Sequence, residues 1–157
     1  MAERISPNAE QIEVWNERVG EAWIANVEAL DQQLRPIGEA AMRAAAVKPG
    51  DSVLDIGCGA GQTTFELAER VGPAGWALGV DISGLMIGAA GRAARSRDAL
   101  NATFEIADAQ TAAFRRGAYD VVFSRFGVMF FQDPVAAFAN IRTALKPQGN
   151  LAFCCWR

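Results

Sequence analysis

The chain has no histidine. That removes the commonest general base at neutral pH and the commonest zinc ligand. Its three cysteines, Cys58, Cys154 and Cys155, show no metal-ligand spacing, so no metal site is expected. Neighbouring residues on a strand face opposite ways, so Cys154 and Cys155 suggest no disulfide framework, and free thiols suit a reducing cytoplasm. Lysine and arginine form no run and the formal net charge is −3, which leaves no basic face for nucleic acid. No stretch of about 20 apolar residues is present to span a membrane. The opening Met1 to Pro7 lacks the apolar centre of a secretion signal. What is present is an ordinary globular balance, 51% apolar and 21% charged, in a chain long enough for one domain with its own core.

The first 46 residues read as helical. Ser6-Pro7 with Glu10 offers a helix start, and Trp15, Val19, Trp23, Val27 and Leu30 recur every three or four residues. A second helix is expected from about Pro36 to Ala46, with proline in its first turn. After the Lys48-Pro49-Gly50-Asp51 turn, short apolar strands alternate with helical patterns. Strands are expected at 52–56, 76–80, 103–107, 119–124 and 150–156, with helices at 62–71, from Ser83 to about Ser96, and at 134–145. Lys146 to Gly149 reads as a turn before the last strand. Nearly uniform apolar strands alternating with helices indicate an α/β fold: a doubly wound parallel sheet buried on both faces. Ligands of such sheets bind at the carboxyl ends of the strands.

Those ends carry the chemistry. Strand one runs into Asp55-Ile56-Gly57-Cys58-Gly59-Ala60-Gly61, where glycines let the backbone approach a ligand beneath a helix N-terminus. The third glycine comes one residue too early for the dinucleotide pattern G-x-G-x-x-G. Without a ligand, the segment would be a tight strand–helix turn. Asp81, 20 residues after Gly61, ends strand two where an acid grips a ribose diol, although it could also cap a helix alongside Ser83. Asp108 ends strand three, either as an acceptor for the exocyclic amine of adenine or as a solvated loop acid.

Taken together, Val53 to Gly61, Gly79 to Ser83, Ala107 to Ala109, Tyr119 to Arg125 and Ala144 to Leu151 resemble, in order, the five motifs of class I S-adenosylmethionine-dependent methyltransferases. The small-molecule, quinone-biosynthesis-like branch is the most similar. One departure is Gln148, where such turns more often carry glycine. The resemblance implies a Rossmann-like sheet of strand order 3-2-1-4-5 over residues 47–157, with residues 1–46 as a helical extension packed on it. It also implies S-adenosylmethionine as cofactor. Asp55 would lie behind the methionine part, Gly57 and Gly59 would line it, Cys58 and Gly61 would belong to the same cofactor site, Asp81 would hold the ribose, and Ile82 would pack on adenine. Asp108 and the Ala109 backbone would meet the adenine edge, and the Ser124 carbonyl the methionine ammonium. Arg125, Phe126 and Met129 would face a small-molecule acceptor.

No catalytic base emerges, and none is required for a nucleophilic acceptor, because the leaving thioether is already good. Ser124-Arg125-Phe126-Gly127 stands where enzymes that methylate adenine amines carry Asn-Pro-Pro-Tyr. Two other readings are a non-catalytic cofactor-binding module and a nicotinamide-dependent oxidoreductase. The second is opposed by the glycine spacing and by Asp108. Family members continue with a helix and strands six and seven, so the chain reads as cut short after strand five. Its apolar edge would then favour homodimers or aggregates.

Overall fold

A computed structural model describes residues 7–156. The expected helix start at Ser6 lies outside these described residues. Three N-terminal helices, α1 (Ala9–Asn16), α2 (Arg18–Ala25) and α3 (Val27–Ala45), precede the alternating part of the chain. That part runs β1 (Ser52–Ile56), α4 (Gln62–Val71), β2 (Trp76–Asp81), α5 (Gly84–Arg97), β3 (Ala102–Ile106), β4 (Tyr119–Arg125), a 3-10 turn (Val128–Phe130), α6 (Pro134–Ala144) and β5 (Leu145–Cys154). The five strands form one sheet of order β3-β2-β1-β4-β5, and every pairing is parallel. This is the expected Rossmann-like order.

The alternation of side chains along each strand builds two cores. Val53, Ala77, Val121 and Phe123 face α3 and α4, where they meet Met42, Ala45, Leu67 and Val71. Leu54, Ile56, Leu78, Val80 and Val122 face the other way, onto Ile141 and Ala144 of α6. Fully burying side chains of this size contributes about 1.5–3 kcal/mol each. No helix among the described residues is long and apolar enough to cross a membrane.

The N-terminal helices break where the sequence reading did not place a break. The boundary expected at Pro36 is absent, and α3 continues through it. Proline frees the carbonyl four residues earlier, here Gln32. Both Gln32 and Pro36 are exposed, so water can satisfy that group. The breaks fall instead at Glu17 and Asn26. Asn16 donates to the Ile12 carbonyl at 2.7 Å and Asn26 to the Ala22 carbonyl at 2.8 Å, so side-chain amides compete for carbonyls of the preceding turn.

The turn expected at Lys146 to Gly149 is absorbed into β5 as an irregularity. Tyr119 pairs with Leu145 and Val121 with Asn150, so extra residues bulge from the strand. Lys146 anchors the bulge to Asp120 at 2.7 Å. The strand ends at Cys154, short of the expected Trp156, whose indole instead stacks on Phe126 at 4.6 Å. β5 is an outer strand, and Phe153 and Trp156 beside it are 44% and 59% exposed.

The rim of the sheet is set by two glycines in contact. A Cβ on Gly127 would lie 2.5 Å from the Ile56 carbonyl oxygen, and one on Gly57 would lie 2.6 Å from the Gly127 Cα. Gly127→Ala is therefore expected to destabilise the fold by about 1–3 kcal/mol, the usual cost of overpacking. In contrast, Gly91→Ala, in α5 with only the Arg95 guanidinium nearby, should stabilise it by about 0.5–1 kcal/mol. Urea unfolding of both variants checks the pair.

Candidate functional site

The turn after β1 is shaped by its contacts with the end of β2. The amides of Gly57 and Cys58 both donate to the Val80 carbonyl, at 2.9 and 3.1 Å. Gly61 then starts α4 in the left-handed region at φ 95°. Asp55 points from β1 beneath this turn and is fully buried. Its Oδ2 accepts from the hydroxyls of Thr63 and Thr64 at 2.6 and 2.7 Å. Its Oδ1 has no hydrogen-bond partner among the described residues. Burial pushes the carboxyl up to about 6, against the two threonine hydrogen bonds and the Arg125 charge, which pull it down. The Cys58 thiol is also buried and is held well above its ordinary value, so it is no nucleophile.

The ends of the next strands hold the other two acids. Asp81 accepts from the Ser83 amide through Oδ1 and from the Gly59 amide through Oδ2, both at 2.9 Å. It thus ties the glycine turn to the end of β2. Ser83 caps α5 by accepting from the Met86 amide, so the two residues share the local work. Asp108 accepts from the Gln110 amide at 2.9 Å and from the Asn8 carboxamide at 2.9 and 3.0 Å. Ser124 is the penultimate residue of β4; its hydroxyl donates to the Ile56 carbonyl at 2.7 Å and accepts from the Gly127 amide at 3.2 Å.

These ends surround one cavity open to solvent. Seven of the candidate residues line it: Gly57, Asp81, Ile82, Asp108, Ala109, Arg125 and Phe126. Asp55, Cys58, Gly59, Gly61 and Ser124 are not among its lining residues. Met129 does not join the cavity: it is 40% exposed on the 3-10 turn, while Phe130 and Phe131 turn inward. Trp15 and Trp23 complete the lining, with Trp15 edge-on to Trp23 at 5.6 Å and to Phe130 at 5.5 Å. Phe126 holds φ at 65°, a strained setting for a bulky residue at a cavity wall.

Asn8 is a cavity residue that sequence reasoning missed. It is buried, binds Asp108 and Gln110, and accepts from the Gln132 amide at 2.8 Å, so it joins three segments. No local pattern announces such a role. The α1–α2 pair is also pinned at its other end, where the Ser83 hydroxyl donates to the Trp15 carbonyl at 2.8 Å.

The methyltransferase-domain family profile matches residues 47–157. The chain belongs to the class I S-adenosylmethionine-dependent methyltransferases. It is 36% identical over 118 residues to an aklanonic acid methyltransferase from a Streptomyces species, covering 75% of this chain and 54% of that protein. It is 33% identical over 117 residues to the nocamycin O-methyltransferase of Saccharothrix syringae, covering 74% of this chain and 42% of that protein. The chain therefore spans about half the length of these curated relatives. Among solved structures, the Haemonchus contortus phosphoethanolamine N-methyltransferase 2 bound to S-adenosyl-L-methionine superposes with a TM-score of 0.70 at 28% identity. That match covers 75% of this chain and 27% of the other.

In this methyltransferase fold Asp55 opposes stability at neutral pH. A carboxyl raised above its unfolded value binds more protons when folded, so its contribution is most favourable at low pH and declines as pH rises from the unfolded value near 3.8 to about 6. The stability of the wild type minus that of Asp55→Asn should fall by roughly 2 kcal/mol between about pH 4 and about pH 7. Urea titrations across that range measure it; a flat difference would mean that Asp55 ionises normally.

Proposed function

We propose that residues 47–157 are the cofactor-binding core of an enzyme that transfers the methyl group of S-adenosylmethionine to a small-molecule acceptor, with the N-terminal helices as its cover. The observation that carries this reading is a pair of strand-end acids, Asp81 and Asp108, lining one cavity, with Asp55 buried beneath the neighbouring glycine turn and one of its carboxylate oxygens unpartnered among the described residues. S-adenosylmethionine carries a sulfonium and an ammonium, and a rim of carboxylates complements both. A pyrophosphate would meet repulsion there.

The residues fit that group. Asp55 Oδ1, unpartnered among the described residues, supplies an acceptor that can reach a ligand ammonium through water. A Cβ on Gly59 would meet nothing within 4 Å, so this turn leaves open space for a ligand. Asp81 keeps lone pairs for a ribose diol after accepting two amides, since a carboxylate offers about four acceptor sites. Ile82 and Ala109 provide apolar contacts for a planar ring, and Asp108 an acceptor at its edge.

When bound, the cofactor supplies a methyl group on a sulfonium that leaves as a neutral thioether as the acceptor's electron pair bonds to carbon. The task of this chain is then to align and to exclude water. Trp15, Trp23, Phe130 and Phe131 form an apolar cover for that purpose, and Phe126 offers a wall to the acceptor. The aklanonic acid and nocamycin relatives support a small-molecule acceptor. The free thiols of Cys58, Cys154 and Cys155 suit a reducing, cytoplasmic setting.

Calorimetric titration with S-adenosylhomocysteine tests the reading. We expect micromolar binding that Asp81→Ala weakens at least about 30-fold, through loss of charge-assisted hydrogen bonds to the diol. No binding by the folded wild type would overturn it.

A further inference from the structure

The cofactor of the proposed reaction also carries an α-carboxylate, and none of the acids around the cavity can receive it. Arg125 is the cationic side chain among the described residues that line the cavity. It follows Ser124 at the end of β4, so its backbone lies at the end of the site ascribed to methionine. Its charge is felt by the buried Asp55 beneath the glycine turn.

The side chain is held deliberately in place. It crosses α3 at Gly38, where a Cβ would lie 2.9 Å from the Arg125 Cδ. Beyond that crossing, one terminal nitrogen of its guanidinium donates to Asp31 Oδ1 at 2.9 Å. Asp31 is buried, and its other oxygen accepts from Arg35 at 2.7 Å. Asp31 is therefore shared between two arginines and neutralises only one of them. Glu66 on α4 lies within electrostatic reach of this group but makes no ion pair with it among the described residues.

A guanidinium has five N–H donors. Among the described residues the Arg125 side chain makes the single hydrogen bond to Asp31, although only 12% of it is exposed. Donor capacity in a mostly desolvated arginine that borders a cavity suits a planar anion received side by side. Resting on the methyltransferase reading, we infer that Arg125, oriented by Asp31, receives the α-carboxylate of S-adenosylmethionine rather than an acceptor. Asp31 is then a positioning residue, and the pairing selects the intact amino acid end of the cofactor.

The test compares two ligands that differ only in that group, S-adenosylmethionine and its decarboxylated form, by calorimetry on the wild type and Arg125→Met. The wild type should prefer the carboxylated ligand by about 30-fold, the worth of a charge-assisted contact. Arg125→Met should lose that preference while binding the decarboxylated ligand within about 2-fold of the wild type. Equal weakening toward both ligands would show a purely structural arginine and overturn the inference, as would an unchanged preference. If Arg125→Met does not fold, Arg125→Lys, which keeps the charge and most of the stem, should retain only part of the preference, and full retention would count against the inference. Failure of the folded wild type to bind either ligand would instead overturn the methyltransferase reading itself, and the Arg125 assignment with it.

Discussion

The rim of the sheet depends on backbone meeting backbone without side chains between. Gly57 and Gly127 approach so closely that a methyl group on either would collide with the other's chain. The Ser124 hydroxyl bridges the same gap by donating to the Ile56 carbonyl. Adjacent parallel strands normally diverge at their ends into separate loops. Here the ends of β1 and β4 are locked together, which makes a floor for the cavity and sends Arg125 and Phe126 away from the strand in fixed directions. Asp81 extends the lock to β2 through the Gly59 amide. Side chains from three strands are thereby held in register before any ligand arrives, which is what a site that works by alignment needs.

The electrostatic arrangement carries a cost. Asp55 is fully buried with one oxygen unpaired, and burial raises both it and Asp81. Taking carboxylates out of water is unfavourable unless partners restore what water supplied. Threonine hydroxyls and backbone amides restore part of it. The remainder is available to a cationic ligand, whose binding would relieve it. The aromatic cover adds to this effect, because excluding water lowers the local dielectric and strengthens each charge–charge contact. Asp31 and Arg125 form a mostly buried ion pair beside the same cavity.

Much of this was legible locally. The strand and helix pattern from residue 52 onward corresponds closely to the observed elements, because period-two and period-3.6 patterning are local properties. The N-terminal helices were read less well. Pro36 signals a boundary by its own chemistry, yet tertiary exposure lets water take its freed carbonyl, and the true breaks depend on asparagine side chains folding back. Lys146 to Gly149 reads as a turn because proline and glycine favour one, whereas pairing of Leu145 with Tyr119 draws the segment into the strand. Arg125 shows the same limit at the site. Its place at the end of β4 is readable, but its partner lies 94 residues away in the chain.

The sequence by itself determined the alternating α/β order, the glycine turn, and the acids at 55, 81 and 108 on successive strand ends, because motif residues and periodicity are written in short, contiguous stretches. Only the tertiary structure decided that Asn8, Trp15 and Trp23 close over the cavity, that Met129 turns outward, and that Asp31 holds Arg125 against it. Those outcomes depend on which surfaces meet when α1 to α3 pack on the sheet. Contacts of that kind are chosen by the burial of whole faces, and no local spacing encodes them.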